Sequence, residues 1–178
     1  MGEAAGVSGW TVRGAGVEDA ERLALVGAAT FLETFAGVLE AEAIVPHCTR
    51  EHSAEAYRRY LEGGATAWLA EADPGGAPIG YALSAEPKLP GAGDGDLELK
   101  RIYTLSRFHG SGMGTALMDA AVADARERGA KRLLLGVYAL NARAIAFYGK
   151  NGFAQVATRR FRVGEREYDD VALARVLA

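Results

Sequence analysis

Cysteine is almost absent. Cys48 is the only one in 178 residues, so no disulfide can close within the chain. That usage fits a reducing compartment, and a cytoplasmic location is the expectation. Positive charge is not in excess either. The formal net charge is −3, which leaves no basic footprint for nucleic acid or an anionic membrane surface. No apolar run approaches the ~18 residues of a membrane span. Residues 1–8 lack a charged segment followed by an apolar one, so they do not read as a signal peptide. Gly6 stands where a myristoylation site needs Ser or Thr. Small residues dominate this stretch, which is expected to be disordered. Histidine is scarce as well. His47, Cys48, Glu51 and His52 are residue types that suit zinc, but only His109 remains elsewhere to complete a paired ligand set, so no metal is expected. Nothing in the pattern requires Cys48 as a nucleophile.

What is present is an ordinary globular composition, 49% hydrophobic and 24% charged, at a length that fills one domain, taken as residues 9–178. A strand is expected over residues 10–13. Leu23, Val26, Phe31 and Phe35 then recur at helical spacing within 17–35. Two further helices are expected over 40–45 and 50–61, the second with Thr49 as its cap. Strands over 65–71 and 78–85 flank the turn Asp73-Pro74-Gly75-Gly76. A loop at 88–95 leads to a strand over 97–105. A glycine-rich loop at 110–114 precedes a helix over 115–128 that ends at Gly129. A strand over 132–138, a helix over 141–151 closed by Gly152, and a hairpin of 153–163 and 166–177 around Gly164-Glu165 complete the pattern. No internal repeat or linker interrupts it. The order implies an α/β fold with a mixed sheet flanked by helices.

The stretch His109-Gly110-Ser111-Gly112-Met113-Gly114-Thr115 lies between an expected strand and an expected helix. A helix start carries unpaired N–H groups and a partial positive charge. Glycines let those amides approach an anion closely, so the expected ligand is a phosphate or pyrophosphate. A P-loop needs a lysine after its last glycine, and none follows here. A dinucleotide fingerprint needs a third glycine where Thr115 stands, and an acid where Val137-Tyr138 closes the next strand. Both nucleotide readings are therefore weak, and a dinucleotide-dependent oxidoreductase with them. Taken alone, the glycines are also compatible with a tight turn that binds nothing. A second element, Asn141-Ala142-Arg143-Ala144-Ile145-Ala146-Phe147-Tyr148 with Gly152-Phe153, places Asn141 and Tyr148 two helical turns apart on one face. Asn141 also suits a helix cap, and Tyr148 a packed aromatic.

Together these two elements resemble the GNAT acetyltransferase superfamily. His109-Gly110-Ser111-Gly112-Met113-Gly114 is similar to its [Gln/Arg]-x-x-Gly-x-[Gly/Ala] signature, with His109 in the Gln/Arg place. The run 99–105 looks like the family's fourth strand, and 141–153 like its Asn-x-x-Ala-x-x-Phe-Tyr-x-x-x-Gly-Phe element. The resemblance implies a mostly antiparallel, twisted sheet of about seven strands and an N-acetyltransferase that uses acetyl-CoA, with a small-molecule amine as partner and direct attack in a ternary complex. It implies a coenzyme A site made by Ile102, Tyr103, Thr104, His109, Gly110, Ser111, Gly112, Met113, Gly114, Thr115, Asn141 and Tyr148. It further implies that the Ile102 backbone N–H receives the carbonyl oxygen, that Thr104 backbone pairs with pantetheine, and that Tyr148 serves the departing thiolate. Glu98 is the candidate base. Residues 30–36 and 166–177 resemble a bacterial polyamine acetyltransferase subgroup. On that likeness Glu33, Phe35 and Asp170 are candidate substrate contacts, with Glu40, Glu42 and Asp169 as further acids. Amino acids, antibiotics, and a protein N-terminus or lysine stay open as acceptors, as does a non-catalytic acyl-CoA sensor. A monomer and a homodimer are equally compatible with the sequence.

Overall fold

The computed structural model describes residues 9–177; the expectation for residues 1–8 lies outside them. Strand β1 (Gly9–Ala15) leads through a 3-10 turn into helix α1 (Ala20–Phe35), followed by α2 (Ala41–Glu51) and α3 (Ala54–Glu62). Strands β2 (Thr66–Asp73), β3 (Pro78–Ala85) and β4 (Asp96–Thr104) come next. Helix α4 (Met113–Glu127), β5 (Arg132–Tyr138), α5 (Ala142–Lys150) and the hairpin β6 (Ala154–Val163) and β7 (Arg166–Val176) complete the chain. The strands form one sheet in the order β1-β2-β3-β4-β5-β7-β6. Every neighbouring pair is antiparallel except β4 with β5. This is the mixed sheet that the order of elements implied, and the mostly antiparallel, seven-stranded form that the resemblance implied.

Alternation along the strands divides the core between the two faces of the sheet. On β2, Ala67 and Leu69 join Leu23 and Val26 of α1 and Tyr57 of α3. Trp68, Ala70 and Ala72 turn to the opposite face, where α4 packs through Leu117, Met118 and Ala121, and α5 through Tyr148. Phe31, Leu39, Ile44 and Val163 form a smaller apolar cluster that fixes α2 over the β6–β7 hairpin.

Three helix boundaries differ from expectation. Helix α2 runs through Pro46 to Glu51, although proline removes one helical N–H. Ile44 before the proline is buried in the cluster of Phe31, Leu39 and Val163, and Cys48 after it packs against the same cluster, so the helix is held on both sides of Pro46. Helix α3 is capped by Ser53, whose Oγ accepts from the Ala56 N–H at 3.1 Å. Thr49 instead donates its hydroxyl back to the Val45 carbonyl at 2.9 Å, inside α2. The helix after the glycine loop begins at Met113, two residues before the expected start, with Gly112 at φ 85° as its cap.

One irregularity opens the sheet. Leu83 of β3 faces Arg101 of β4, but Ser84 faces Leu99, so Lys100 is an extra residue, a β-bulge. A bulge bends its strand and sharpens the local twist. On the other side of β4, parallel pairing with β5 stops at Glu98↔Leu134. Strand β4 nonetheless continues to Thr104, and β5 to Tyr138 while still paired with β7. Beyond the bulge the two halves of the sheet separate.

Candidate active site

The separation of β4 from β5 creates a cavity of about 1120 Å³. One end is walled by the start of α4 and by α5, the other by α1, α2 and the β6–β7 hairpin.

At the first end, Gly110, Gly112, Gly114 and Thr115 line the cavity. Gly110 and Gly112 have φ of 82° and 85°, a conformation that glycine adopts without the Cβ penalty of other residues. The loop's internal bonds use the His109 and Ser111 amides, which donate to the carbonyls of Ser106 and Phe108. The Met113 amide makes a long contact, 3.4 Å, to Ser111 Oγ. Among the described residues, no acceptor serves the amides of Gly110, Gly112, Gly114 or Thr115. Four unpaired donors therefore gather at the positive end of a fifteen-residue helix, facing open space, which fits the donor set a diphosphate needs. Gly80 of β3 brings this helix start against β4. A Cβ there would lie 3.0 Å from Thr104 Cγ2 and 3.1 Å from Met113 Sδ. His109 Nε2 lies 3.2 Å from the Thr104 carbonyl and ties the loop to the end of the strand.

Ile102, Tyr103, Thr104, Asn141 and Tyr148 line the same cavity. Asn141 Oδ1 accepts the Ala144 N–H at 3.1 Å and caps α5. Tyr148, two turns on, is 8% exposed. Burial, reinforced by neighbouring Tyr103, pushes its hydroxyl well above the ordinary tyrosine value, so it is held as a neutral phenol. Ser111 and Met113, expected at this end, do not line it. Ser111 is exposed, and the Met113 side chain is fully buried in the core.

Glu98 is 4% exposed and borders the cavity. Its Oε2 accepts the Lys88 N–H at 2.7 Å, and its Oε1 lies 3.8 Å from Lys100 Nζ. The remaining sequence candidates sit at the far end. Glu33 accepts the Ser106 N–H and hydroxyl, both at 2.7 Å, and so braces α1 against the β4–α4 loop. Phe35 packs on Phe31 at a ring separation of 4.6 Å. Asp170 is paired with Arg159 at 3.0 Å. Burial raises the Asp170 carboxyl above its ordinary value, with Arg159 opposing the shift. Glu40 lies outside the cavity lining and pairs with Arg166.

Strand periodicity alone did not single out the cluster next to Glu98. Because of the bulge, Lys100 and Arg101 both turn towards α3. Arg101 stacks over the rings of Tyr57 and Tyr60 at 5.1 and 5.3 Å, and Lys100 lies 5.9 Å from Tyr60. His52 shares a 2.9 Å hydrogen bond with the Tyr57 hydroxyl, and burial lowers its pKa to about 3. His47 stacks on Phe31 at 4.4 Å and is likewise shifted down by burial. Among the described residues, no group of three acidic, histidine or cysteine side chains is arranged to hold a metal ion. No helix among them is long and apolar enough to cross a membrane.

Residues 29–153 match the sequence model of the acetyltransferase (GNAT) family. An uncharacterized N-acetyltransferase of Mycobacterium bovis is 36% identical over 159 residues, spanning 89% of this chain and 98% of the relative. Among solved structures, the PaiA N-acetyltransferase of Thermoplasma acidophilum, in complex with coenzyme A, superposes with a TM-score of 0.77. It is 22% identical and covers 94% of this chain and 99% of its own. YncA of Salmonella typhimurium, an acetyltransferase homologue solved with acetyl-CoA, gives 0.71 at 20% identity, covering 96% and 95% of the two chains. The structural likenesses, at these identities, speak to the fold; the sequence match, coinciding with the divided sheet and the glycine loop, speaks to descent. The chain belongs to the acetyltransferase (GNAT) family of acetyl-CoA-dependent N-acyltransferases.

Proposed function

We propose that this enzyme transfers the acetyl group of acetyl-CoA to a small primary amine by direct attack, with both substrates bound in the cavity between β4 and β5. The observation that carries this reading is the meeting of four unpaired amides at the start of α4 with a strand that has lost its sheet neighbour. Gly110, Gly112, Gly114 and Thr115 hold the diphosphate, and the open edge of β4 around Thr104, whose carbonyl also meets His109, pairs with the pantetheine arm as an added strand would.

Acetyl-CoA supplies a thioester carbonyl open to nucleophiles. The Ile102 N–H receives the charge that builds on the carbonyl oxygen. An amine with a pKa of ~10.4 is deprotonated in only about one molecule in 2,500 at pH 7, so a proton must be removed before attack. Glu98, at the cavity wall, takes that proton, directly or through water. The amine nitrogen bonds to the carbonyl carbon as the carbon–sulfur bond breaks, and the second proton that the nitrogen sheds passes to the departing sulfur, leaving the amide and the free thiol of CoA. Tyr148 donates a hydrogen bond to the departing sulfur. Full proton transfer from an ordinary tyrosine (pKa ~10) to a thiolate (~8.5) is already uphill by about 2 kcal/mol, and burial widens that gap. Tyr148 therefore works as a donor that stays neutral rather than as an acid that ionises.

Free CoA release from acetyl-CoA, measured over a panel of amines, tests the reading. The expected result is amine-dependent release in the wild type. Tyr148→Phe should lose about 10- to 100-fold in kcat with the KM for acetyl-CoA within about threefold. An unchanged kcat removes Tyr148 from this role. Absence of amine-dependent release removes the transfer reaction.

A further inference from the structure

We infer that the acceptor is an amino acid or a close analogue, in which the amine shares a small apolar skeleton with a carboxylate, and that Arg101 receives the carboxylate. The inference rests on the acetyl-transfer reading and names the substrate class of the same cavity.

Arg101 is the first support. Its side chain is 11% exposed and lines the cavity. Its Nη1 donates to the Glu51 carbonyl at 3.0 Å, while the Glu51 carboxylate comes no nearer than 4.0 Å and is itself 46% exposed. Other arginines facing well-buried acids here are closed pairs: Arg13 with Asp19 at 2.8 Å, Arg132 with Asp96 at 2.5 Å, Arg159 with Asp170 at 3.0 Å. A guanidinium carries five donors in a planar fork that matches a carboxylate, and burying it without a close anion is unfavourable. Arg101 thus has the fork of a closed pair and no carboxylate at hydrogen-bond distance among the described residues.

The acids of the cavity give the second support. Both oxygens of Glu33 are taken by Ser106, Glu98 accepts from Lys88, and Asp170 is held by Arg159. Among the described residues, Glu51 is the one acid of the cavity whose carboxylate has no partner at hydrogen-bond distance, so a polycation would find a single free carboxylate rather than a track of them. Arg50 and Arg162 also border this end, and the two histidines there, His47 and His52, are held neutral by burial, so they do not complete an ion pair with the ligand.

Shape is the third. Phe31 and His47 stack at 4.4 Å, Phe35 packs on Phe31, and Phe161 lies edge-on to His47 at 6.5 Å. These rings form an apolar wall suited to an aliphatic or aromatic side chain. Arg101 directly precedes Ile102, the strand position assigned to the reacting carbonyl, and both line the same cavity.

The test compares matched amines in the wild type by CoA release: phenylalanine against phenethylamine, leucine against 3-methylbutylamine, and spermidine. The carboxylate-bearing member of each pair should have a kcat/KM at least about tenfold higher, mostly through KM, and should exceed spermidine. In Arg101→Gln and Arg101→Lys, with folding checked by thermal melting, the preference should narrow to about threefold in the glutamine variant and stay intermediate in the lysine variant. Should the glutamine variant fail to fold, the wild-type pairs decide alone. Equal or better use of the decarboxylated amines or of spermidine overturns the assignment and leaves acetyl transfer standing. Release with no amine at all overturns both.

Discussion

At the scale of single residues, burial changes what each side chain can do. His52 sits 5% exposed between Phe31 and Tyr57, and its folded pKa of about 3 lies far below the ordinary 6.5. Below pH 6.5 the unfolded chain binds a proton that the folded chain refuses, so this contribution to stability is complete above pH 6.5 and is lost as pH falls towards 3. Between pH 7.5 and pH 5 the loss should be about 2 kcal/mol. Urea unfolding of the wild type and of His52→Gln at the two pH values checks it. The wild type should lose about 2 kcal/mol more than the variant, and equal losses would contradict the neutral, buried histidine. This role was not legible in the sequence, where His47, Cys48, Glu51 and His52 invited a metal reading. Pattern alone does not show that the rings pack on Phe31 and Tyr57. Tyr148 and Asn141 were legible, because two turns of helix bring them to one face whatever surrounds them.

Elements show where local preference yields to packing. Gly27 lies inside α1, where alanine would ordinarily add about 1 kcal/mol of helix stability. A Cβ at Gly27, however, would fall 2.2 Å from the Tyr57 hydroxyl and 2.5 Å from His52 Nδ1. Gly27→Ala should therefore lower stability by at least about 1 kcal/mol in chemical denaturation, and a stabilised variant would show that the Tyr57–His52 pair gives way freely. The glycine loop separates two kinds of constraint. At Gly112, φ of 85° penalises any Cβ by roughly 1–2 kcal/mol. At Gly114, a Cβ would make only an ordinary 3.5 Å contact with Phe147 Cζ. Gly112→Ala should melt earlier and bind acetyl-CoA more weakly, while Gly114→Ala should melt like the wild type. Calorimetric titration and thermal melting of the two variants decide it, and equal behaviour would mean that the cap geometry does not matter. The boundaries that went astray, Pro46 inside α2 and Ser53 rather than Thr49 capping α3, were set by contacts across the fold. Those contacts leave no mark at nearby positions.

For the whole molecule, the order of strands and helices was readable because hydrophobic period changes from helical to alternating at each turn of glycine or proline. The bulge at Lys100 was not. Strict alternation along β4 would send Arg101 to the same face as Leu99, into the core beneath α4. Instead the extra residue turns Arg101 to the face that Glu98 and Lys100 already share, where β4 parts from β5. The inserted residue thus adds Arg101 to the charged lining of the cavity. At this scale the binding assignment has a direct readout in backbone amide NMR of the labelled protein during titration with acetyl-CoA. The amides of Gly110, Gly112, Gly114 and Thr115 should show the largest shifts, together with Ile102 and Thr104 on the free side of β4. Saturating acetyl-CoA that leaves these six amides where they were would contradict the site.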